Sequence, residues 1–300
     1  MKKNIRVLLI LMLSIALLAA CNTNKARAND LKITDQMNRE ITIKGEVTKI
    51  VSLAPSATEM LFALGLGERV VGVTDSCNYP EESQSIEKVG GFKGPNLEKI
   101  VAAEPNVVFS STVSQETVEA LDQAGIPVVV LNPQNIESIY QAIELMGKVC
   151  NSAENADQLV NDITARVNAV KEKVANIKDE DKKLVYYEVW HEPPMTVGPN
   201  TFLHEVIVAA GGKNLAEDSK TDWPSLSTEQ IVERNPDIIL LGHGGQKAEE
   251  TELRTGFKDI KAVQNKKVKA VDVDVFSRPG PRITEAIEFL AEYMYPELFK

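Results

Sequence analysis

The chain has little of what catalysis usually needs. Its only histidines are His191, His204 and His243, and no two stand at a metal-ligand spacing such as i, i+4. No metal site is therefore expected. Gly-x-Ser-x-Gly, His-Glu-x-x-His and a phosphate-cradling glycine-rich loop are all missing. An exported hydrolase would need a nucleophile–base pair that the sequence does not offer, so neither enzymatic activity nor a resident cofactor is expected. Among three cysteines, Cys77 and Cys150 have little support as nucleophiles, and nothing in the sequence brings them together as a disulfide. Beyond the N-terminal leader there is no second long apolar run, so the body is expected to be soluble. The net charge is −10, and more acidic still without the leader's three cations. An acidic body argues against nucleic acid or polyanionic lipid as partner.

What is present begins at the N-terminus. Lys2, Lys3 and Arg6 precede an almost wholly apolar run from Val7 to Leu18, which closes on Leu18-Ala19-Ala20-Cys21. That order is a secretory signal, too short for a comfortable membrane span. Cys21 at the cleavage point resembles the lipobox of bacterial lipoproteins. The resemblance implies removal of residues 1–20 and lipidation of the Cys21 thiol. Two or more acyl chains make a stable anchor where one binds only marginally. Asn22 to Asn29 are polar and read as a flexible tether. Residues 21–44 thus form the tether and the start of the N-terminal segment, and the protein is expected on the extracytoplasmic face of the cell membrane.

Strand-like and helix-like stretches then alternate. Lys49 to Leu53, Val70 to Val73, Val107 to Ser110 and Val128 to Leu131 read as strands. Ser56 to Leu64, Leu97 to Glu104 and Thr117 to Gly125 read as helices between them. From Ser152 to about Ile177, apolar residues recur at steps of three and four with no Gly or Pro. This predicts one helix of about 25 residues, near 40 Å long at 1.5 Å per residue. After it come a strand from Leu184 to Val189, a helix from Thr201 to Ala210, strands at Ile238 to Leu241 and Val268 to Val273, and a last helix from Ile283 to Tyr295. The expectation is an α/β protein with two Rossmann-like lobes, each built on a parallel sheet. The lobes, 45–151 and 179–300, are joined by one long rigid helix at 152–178.

The halves echo one another. Leu97-Glu98-Lys99-Ile100-Val101 through Pro105-Asn106-Val107-Val108 aligns without a gap with Thr228-Glu229-Gln230-Ile231-Val232 through Pro236-Asp237-Ile238-Ile239, at a constant offset of 131. Two related domains would face each other across a cleft, a favoured place for a small ligand. Aromatics are only 5% of the chain, so each placement carries weight. Tyr79, Phe92, Trp190 and Trp223 all fall in loops, where large rings suit a ligand with a broad flat face. Met195 follows Trp190 closely, and Asp274 and Arg278 precede the stiff Pro279-Gly280-Pro281 segment. Arg278 either offers a forked donor to a ligand or makes a surface ion pair. Glu98 and Glu229 lie in equivalent first turns after Asn96 and Ser227. They either stabilise the helix dipole or dock onto matched cations of a two-fold symmetric membrane partner.

Val51-Ser52-Leu53-Ala54-Pro55-Ser56-Ala57-Thr58-Glu59, Asn96-Leu97-Glu98-Lys99-Ile100 and Trp223-Pro224-Ser225-Leu226-Ser227-Thr228-Glu229-Gln230 resemble the substrate-binding lipoproteins of ABC importers for cobalamin, iron–siderophores and haem. The resemblance covers residues 45 to 297 and is greatest to the cobalamin binders. It implies two lobes with a shallow cleft and limited closure. It also implies that the Asn78-Tyr79-Pro80 loop, the Phe92 loop, Trp223-Pro224 and Arg278 through Pro281-Arg282 surround the ligand, with Trp190, Met195 and Asp274 expected beside them, and that Glu98 and Glu229 meet arginines of the permease. Phe92 and Met195 depart from the pattern, standing where the best-known cobalamin binder has tryptophan and phenylalanine. The function so implied is a monomeric binding protein that hands cobalamin or a related corrinoid to a permease dimer with a cytoplasmic ATPase. A siderophore or haem carrier and a sensory ligand-binding subunit are the alternatives.

Overall fold

The computed structural model describes residues 30–91, 94–111, 114–244 and 247–300. The leader, Cys21, the tether to Asn29 and Phe92 lie outside the described residues.

The N-terminal lobe opens with a hairpin, β1 (Leu31–Thr34) and β2 (Glu40–Ile43). The alternation Leu31-Lys32-Ile33-Thr34 and the turn residue Asn38, at φ 60°, are the signals for it. A parallel sheet follows: β3 (Ile50–Ser52), β4 (Val70–Val73), β5 (Val107–Ser110) and β6 (Val128–Val130), in the order β4-β3-β5-β6. Its helices are α1 (Pro55–Ala63), α2 (Leu97–Ala102), α3 (Gln115–Gln123) and α4 (Ile136–Val149). The long helix α5 runs from Ala153 to Val174, about 33 Å at 1.5 Å per residue. The C-terminal lobe has β7 (Leu184–Glu188), β8 (Lys213–Asn214), β9 (Ile238–Leu241) and β10 (Val268–Ala270), in the order β8-β7-β9-β10 and again all parallel. With it come α6 (Phe202–Ala209), α7 (Thr228–Arg234), α8 (Ala248–Glu252), α9 (Lys261–Gln264), α10 (Val273–Ser277) and α11 (Ile283–Met294).

Both sheets therefore run second-first-third-fourth, and the repeat read from the sequence extends to the hydrogen bonds. Asn96 caps α2 by accepting from the Lys99 N–H, and Ser227 caps α7 by accepting from the Gln230 N–H. Glu104 and Asn235, 131 residues apart, both take left-handed backbone at φ 50° and 52° ahead of the proline. Asn106 then binds the Lys49 N–H at 2.8 Å, and Asp237 binds the Leu184 N–H at 2.9 Å, each tying β5 or β9 to the first strand of its sheet.

One expected strand differs. Beyond Ala270 the chain does not stay extended to Val273. The Asp272 carboxylate accepts from the Asp274 and Val275 N–H groups and starts the short helix α10. Phe276 is buried at the end of that helix and stacks on Tyr187 with centroids 6.0 Å apart.

Alternate residues of each sheet feed different cores, as the two-residue period of a strand requires. Val51, Val108, Val128 and Val130 pack with Ile100 and Leu121 on the outer face of the first lobe. Tyr186, Ile239 and Leu241 do the same in the second. The opposite faces, Ile50, Val107, Phe109 and Val129 in one lobe and Val185, Tyr187 and Leu240 in the other, belong to one continuous core. Ile139, Ile143 and Met146 of α4, Ile163, Val167 and Val170 of α5, and Ile287 and Leu290 of α11 complete it. The long helix is thus not a bare strut but the middle of a shared core. Cys77 and Cys150 are both buried in this core as free thiols, and burial pushes the Cys150 thiol up to about 12. No described helix is long and apolar enough to cross a membrane.

The edge of the first sheet is closed by the hairpin turn. Asp35 accepts from the Val130 N–H at 3.1 Å and from Arg39 Nη2 at 2.6 Å, and Arg39 donates to the Val128 carbonyl at 2.9 Å. Burial tends to raise the Asp35 carboxyl, but bonds from Arg39 and from backbone N–H groups outweigh it and hold it below its usual range. A depressed carboxyl stabilises the fold above its unfolded value near 3.9, and that stability is lost as pH falls through the folded value. Asp35→Asn should cost about 1–3 kcal/mol at pH 7 in urea unfolding. The gap to wild type should narrow as both are acidified below about pH 4.

Candidate functional site

The carboxyl ends of the two parallel sheets point toward each other, the position where open α/β sheets bind ligands. Between them lies a cavity of about 420 Å³ lined from both lobes. Ser56 after β3, Ser111 after β5 and Asn132 after β6 contribute from one side, and Asp274, Ser277 and Arg278 after β10 from the other. A larger cavity, about 870 Å³, lies on the outer edge of the first lobe beside β2 and α3. It contains none of the sequence-predicted site residues, so the interlobe cavity is the candidate site.

A charged network crosses the floor of this cleft. Glu59 projects from α1 and is 3% exposed. Its carboxylate accepts from Arg278 Nη1 at 2.8 Å, from Arg282 Nη2 at 2.6 Å and from Arg282 Nε at 2.9 Å. Arg278 also donates to Asn78 Oδ1 at 2.8 Å and to the Ser76 carbonyl at 3.2 Å, and pairs with Asp274 at 2.8 Å. Asn78 Nδ2 donates to Asp274 at 2.8 Å. Two carboxylates and two guanidinium groups balance, which is the condition for keeping charges out of water. The hydrogen bond from Arg282 to Glu59 and their attraction hold the Arg282 guanidinium above its usual range against the effect of burial.

Of the sequence-predicted residues, Asp274 and Arg278 line the cavity. Arg278 is neither a free donor nor a surface ion pair. It is buried, and its Nη atoms are held by the N-terminal lobe and Asp274. Tyr79, Trp190 and Trp223 keep 45%, 49% and 46% of their surface in solvent, unusual for rings so large. Trp190 is not in an open loop but pairs directly across a two-residue ribbon from Met195. Met195 in turn bridges to Ser225, two residues after Trp223. Direct partners on adjacent strands project to the same side, so Trp190 and Met195 share a face. Tyr79 stands beside Asn78 on the opposite lobe, with the Arg282 guanidinium 4.1 Å from its ring centroid. Glu98 and Glu229 are exposed, each the second residue of its helix, and lie outside the cavity.

His191 and His243, far apart in sequence, come together with ring centroids 5.4 Å apart, beside Trp190. His243 Nε2 is bonded to the fully buried Glu188, which also holds Arg254 and Tyr186. No cluster of three or more potential metal ligands occurs among the described residues. Of the residues in the charged network, the sequence pointed to Asn78 and Arg282 only through the family resemblance, as neighbours of the ligand, and it assigned no role to Glu59. The available signal was a lone acid within the apolar helix Pro55-Ser56-Ala57-Thr58-Glu59-Met60-Leu61-Phe62-Ala63, where an unpaired charge is not tolerated.

Comparison with known proteins agrees with this fold. Residues 50–275 match the periplasmic binding protein family. The chain belongs to that family, as a substrate-binding protein of the ABC-transporter class. It is 38% identical, over the whole of both chains, to an uncharacterized ABC transporter substrate-binding lipoprotein, YvrC, of Bacillus subtilis. It is 29% identical to the vitamin B12-binding protein of Vibrio campbellii, across 83% of this chain and 90% of the relative. A Staphylococcus epidermidis structure described as a possible iron-binding periplasmic solute-binding protein is 30% identical with a TM-score of 0.72, covering 84% of this chain and all of that one.

The segment carrying Trp223 depends on Gly198. Gly198 donates to the Asp222 carbonyl at 2.8 Å, and a Cβ on Gly198 would come within 2.0 Å of the Thr221 carbonyl oxygen. Gly198→Ala should destabilise the protein by about 1–3 kcal/mol. With only two tryptophans in the chain, the displaced segment should also show as a changed fluorescence spectrum of the folded protein.

Proposed function

We propose that this chain is the lipid-anchored, extracytoplasmic capture subunit of an ABC importer, taking cobalamin or a related corrinoid in the cleft between its lobes. The observation that carries the ligand class is the chemistry of the cavity wall. Ser56, Ser76, Ser111, Asn132, Gln134 and Ser277 offer hydroxyls and carboxamides. Arg278 is the only cation among the described lining residues, and Glu59 and Asp274 neutralise it. Neutral donors and acceptors complement the amide arms of a corrin better than the carboxylates of haem or a catecholate siderophore, which call for uncommitted positive charge. A cavity this small takes one edge of the macrocycle, with the broad face left to the exposed rings of Tyr79, Trp190 and Trp223 and to Met195; Phe92, a further candidate, lies outside the described residues. A ferric siderophore or haem is the second reading, favoured by the likeness to the possible iron-binding protein.

Delivery follows from placement. Cys21 keeps the body near the membrane, which raises its effective concentration at the permease without any new contact. Glu98 and Glu229 occupy equivalent exposed positions on equivalent helices, one per lobe. Such a pair suits two matched cations on a two-fold symmetric permease. Its backbone N–H and the Ser227 hydroxyl hold the Glu229 carboxyl below its usual range, so it is ionised at neutral pH. The chain would act as a monomer, and energy would come from ATP spent by a separate subunit.

Titration of the soluble chain with cyanocobalamin, haemin and a ferric siderophore should give saturable binding with cyanocobalamin. Saturation by haemin or the siderophore alone would replace this reading with the second. Trp223→Ala should weaken binding of the true ligand by about 1–3 kcal/mol, from lost ring burial. The double variant Glu98→Arg, Glu229→Arg should leave affinity within about two-fold of wild type yet abolish uptake by cells. Normal uptake would remove the docking role.

A further inference from the structure

Tyr79 is close to half exposed yet not free to turn, and the restraint comes from the other lobe. Arg282, at the start of α11, lays its guanidinium 4.1 Å from the Tyr79 ring centroid. The plane of that guanidinium is set in turn by Glu59, which holds both Nε and Nη2, at 2.9 and 2.6 Å. A forked, two-point grip fixes a plane, which a point cation cannot do. The relay runs from the N-terminal lobe to the C-terminal lobe and back. The same carboxylate binds Arg278, which holds Asn78, the residue before Tyr79. Two neighbouring residues of one loop are thus fixed through two arginines to one buried group.

We infer that Glu59 is a positioning residue for ligand capture: acting through Arg282 and Arg278, it orients the Tyr79 ring at the mouth of the cleft and so sets ligand affinity without touching the ligand. The consequence for affinity rests on the reading that Tyr79 stacks on the ligand; the positioning itself does not. Because the grip spans both lobes, the ring is correctly placed only when the lobes stand at their native separation. An exposed aromatic therefore becomes part of a preorganised site rather than a mobile surface group, and the ordering cost is met on folding, before the ligand arrives.

The experiment has a ligand-free arm and a binding arm. Ring-labelled tyrosine NMR on the soluble chain resolves six tyrosines at most, and Tyr79→Phe assigns the signal of interest. In Glu59→Gln and in Arg282→Lys that signal should move toward the position of an unrestrained tyrosine, while those of Tyr186, Tyr187 and Tyr295 hold. An unmoved Tyr79 signal overturns the proposal. So does movement of all the signals together, because that reports general loosening. Arg282→Lys keeps Glu59 paired with a cation and carries the test should Glu59→Gln fail to fold. In the binding arm, with cyanocobalamin as probe, Glu59→Gln and Tyr79→Ala should each raise Kd about 5- to 50-fold. Adding Glu59→Gln to Tyr79→Ala should raise it less than about three-fold further, since both changes act on one ring. If Tyr79→Ala weakens binding and Glu59→Gln does not, the stacking reading stands and the positioning role falls. If Tyr79→Ala binds as wild type, the stacking reading falls and the effect on affinity with it.

Discussion

The structure depends on one apolar core that two lobes share. Each sheet has an outer face with a core of its own, yet the inner faces meet through α4, α5 and α11 without a break. Opening the lobes widely would expose side chains such as Ile163, Val167 and Ile287, at about 25 cal/mol for each Å² of apolar surface brought into water. That cost, more than the stiffness of one helix, limits lobe motion. The cleft is therefore largely formed before any ligand binds.

A second constraint follows from the first. Lobes held at a fixed separation leave an interface whose polar groups must be satisfied permanently. Glu59, Arg278, Arg282 and Asp274 meet this need with balanced charge, and Asn78 and the Ser76 carbonyl take up further donors and acceptors. Removing Glu59, the carboxylate that both arginines share, would leave excess positive charge at this interface, which is costly. The network also engages Arg278, the one cation among the described residues of the cavity wall, so that the remaining described wall is mostly neutral and polar. Rigidity, charge balance and ligand chemistry are thus consequences of the same packing.

The two-fold character of the molecule is similarly physical. A left-handed residue before proline, a capped short helix and an Asx side chain tied to the first strand recur at the same offset in both lobes. These local devices place Glu98 and Glu229 alike on separate bodies.

The sequence by itself determined the local features. Period-two and period-3.6 patterning marked most strands and helices, and the repeat marked two lobes of one topology, because backbone periodicity is written in adjacent residues. It also singled out Tyr79, Trp190 and Trp223 as loop rings; the structure leaves all three half exposed but pairs Trp190 with Met195 in a short ribbon. The hairpin at Leu31–Ile43 falls in the stretch read as tether and start of the N-terminal segment, and the helix Val273–Ser277 in one read partly as strand, since a single Asp272 carboxylate decided it. Only the tertiary structure decided the fate of Arg278 and the importance of Glu59. These partners lie more than 200 residues apart, and the pairing of a buried charge is a property of what the fold brings next to it, not of its neighbours in the chain.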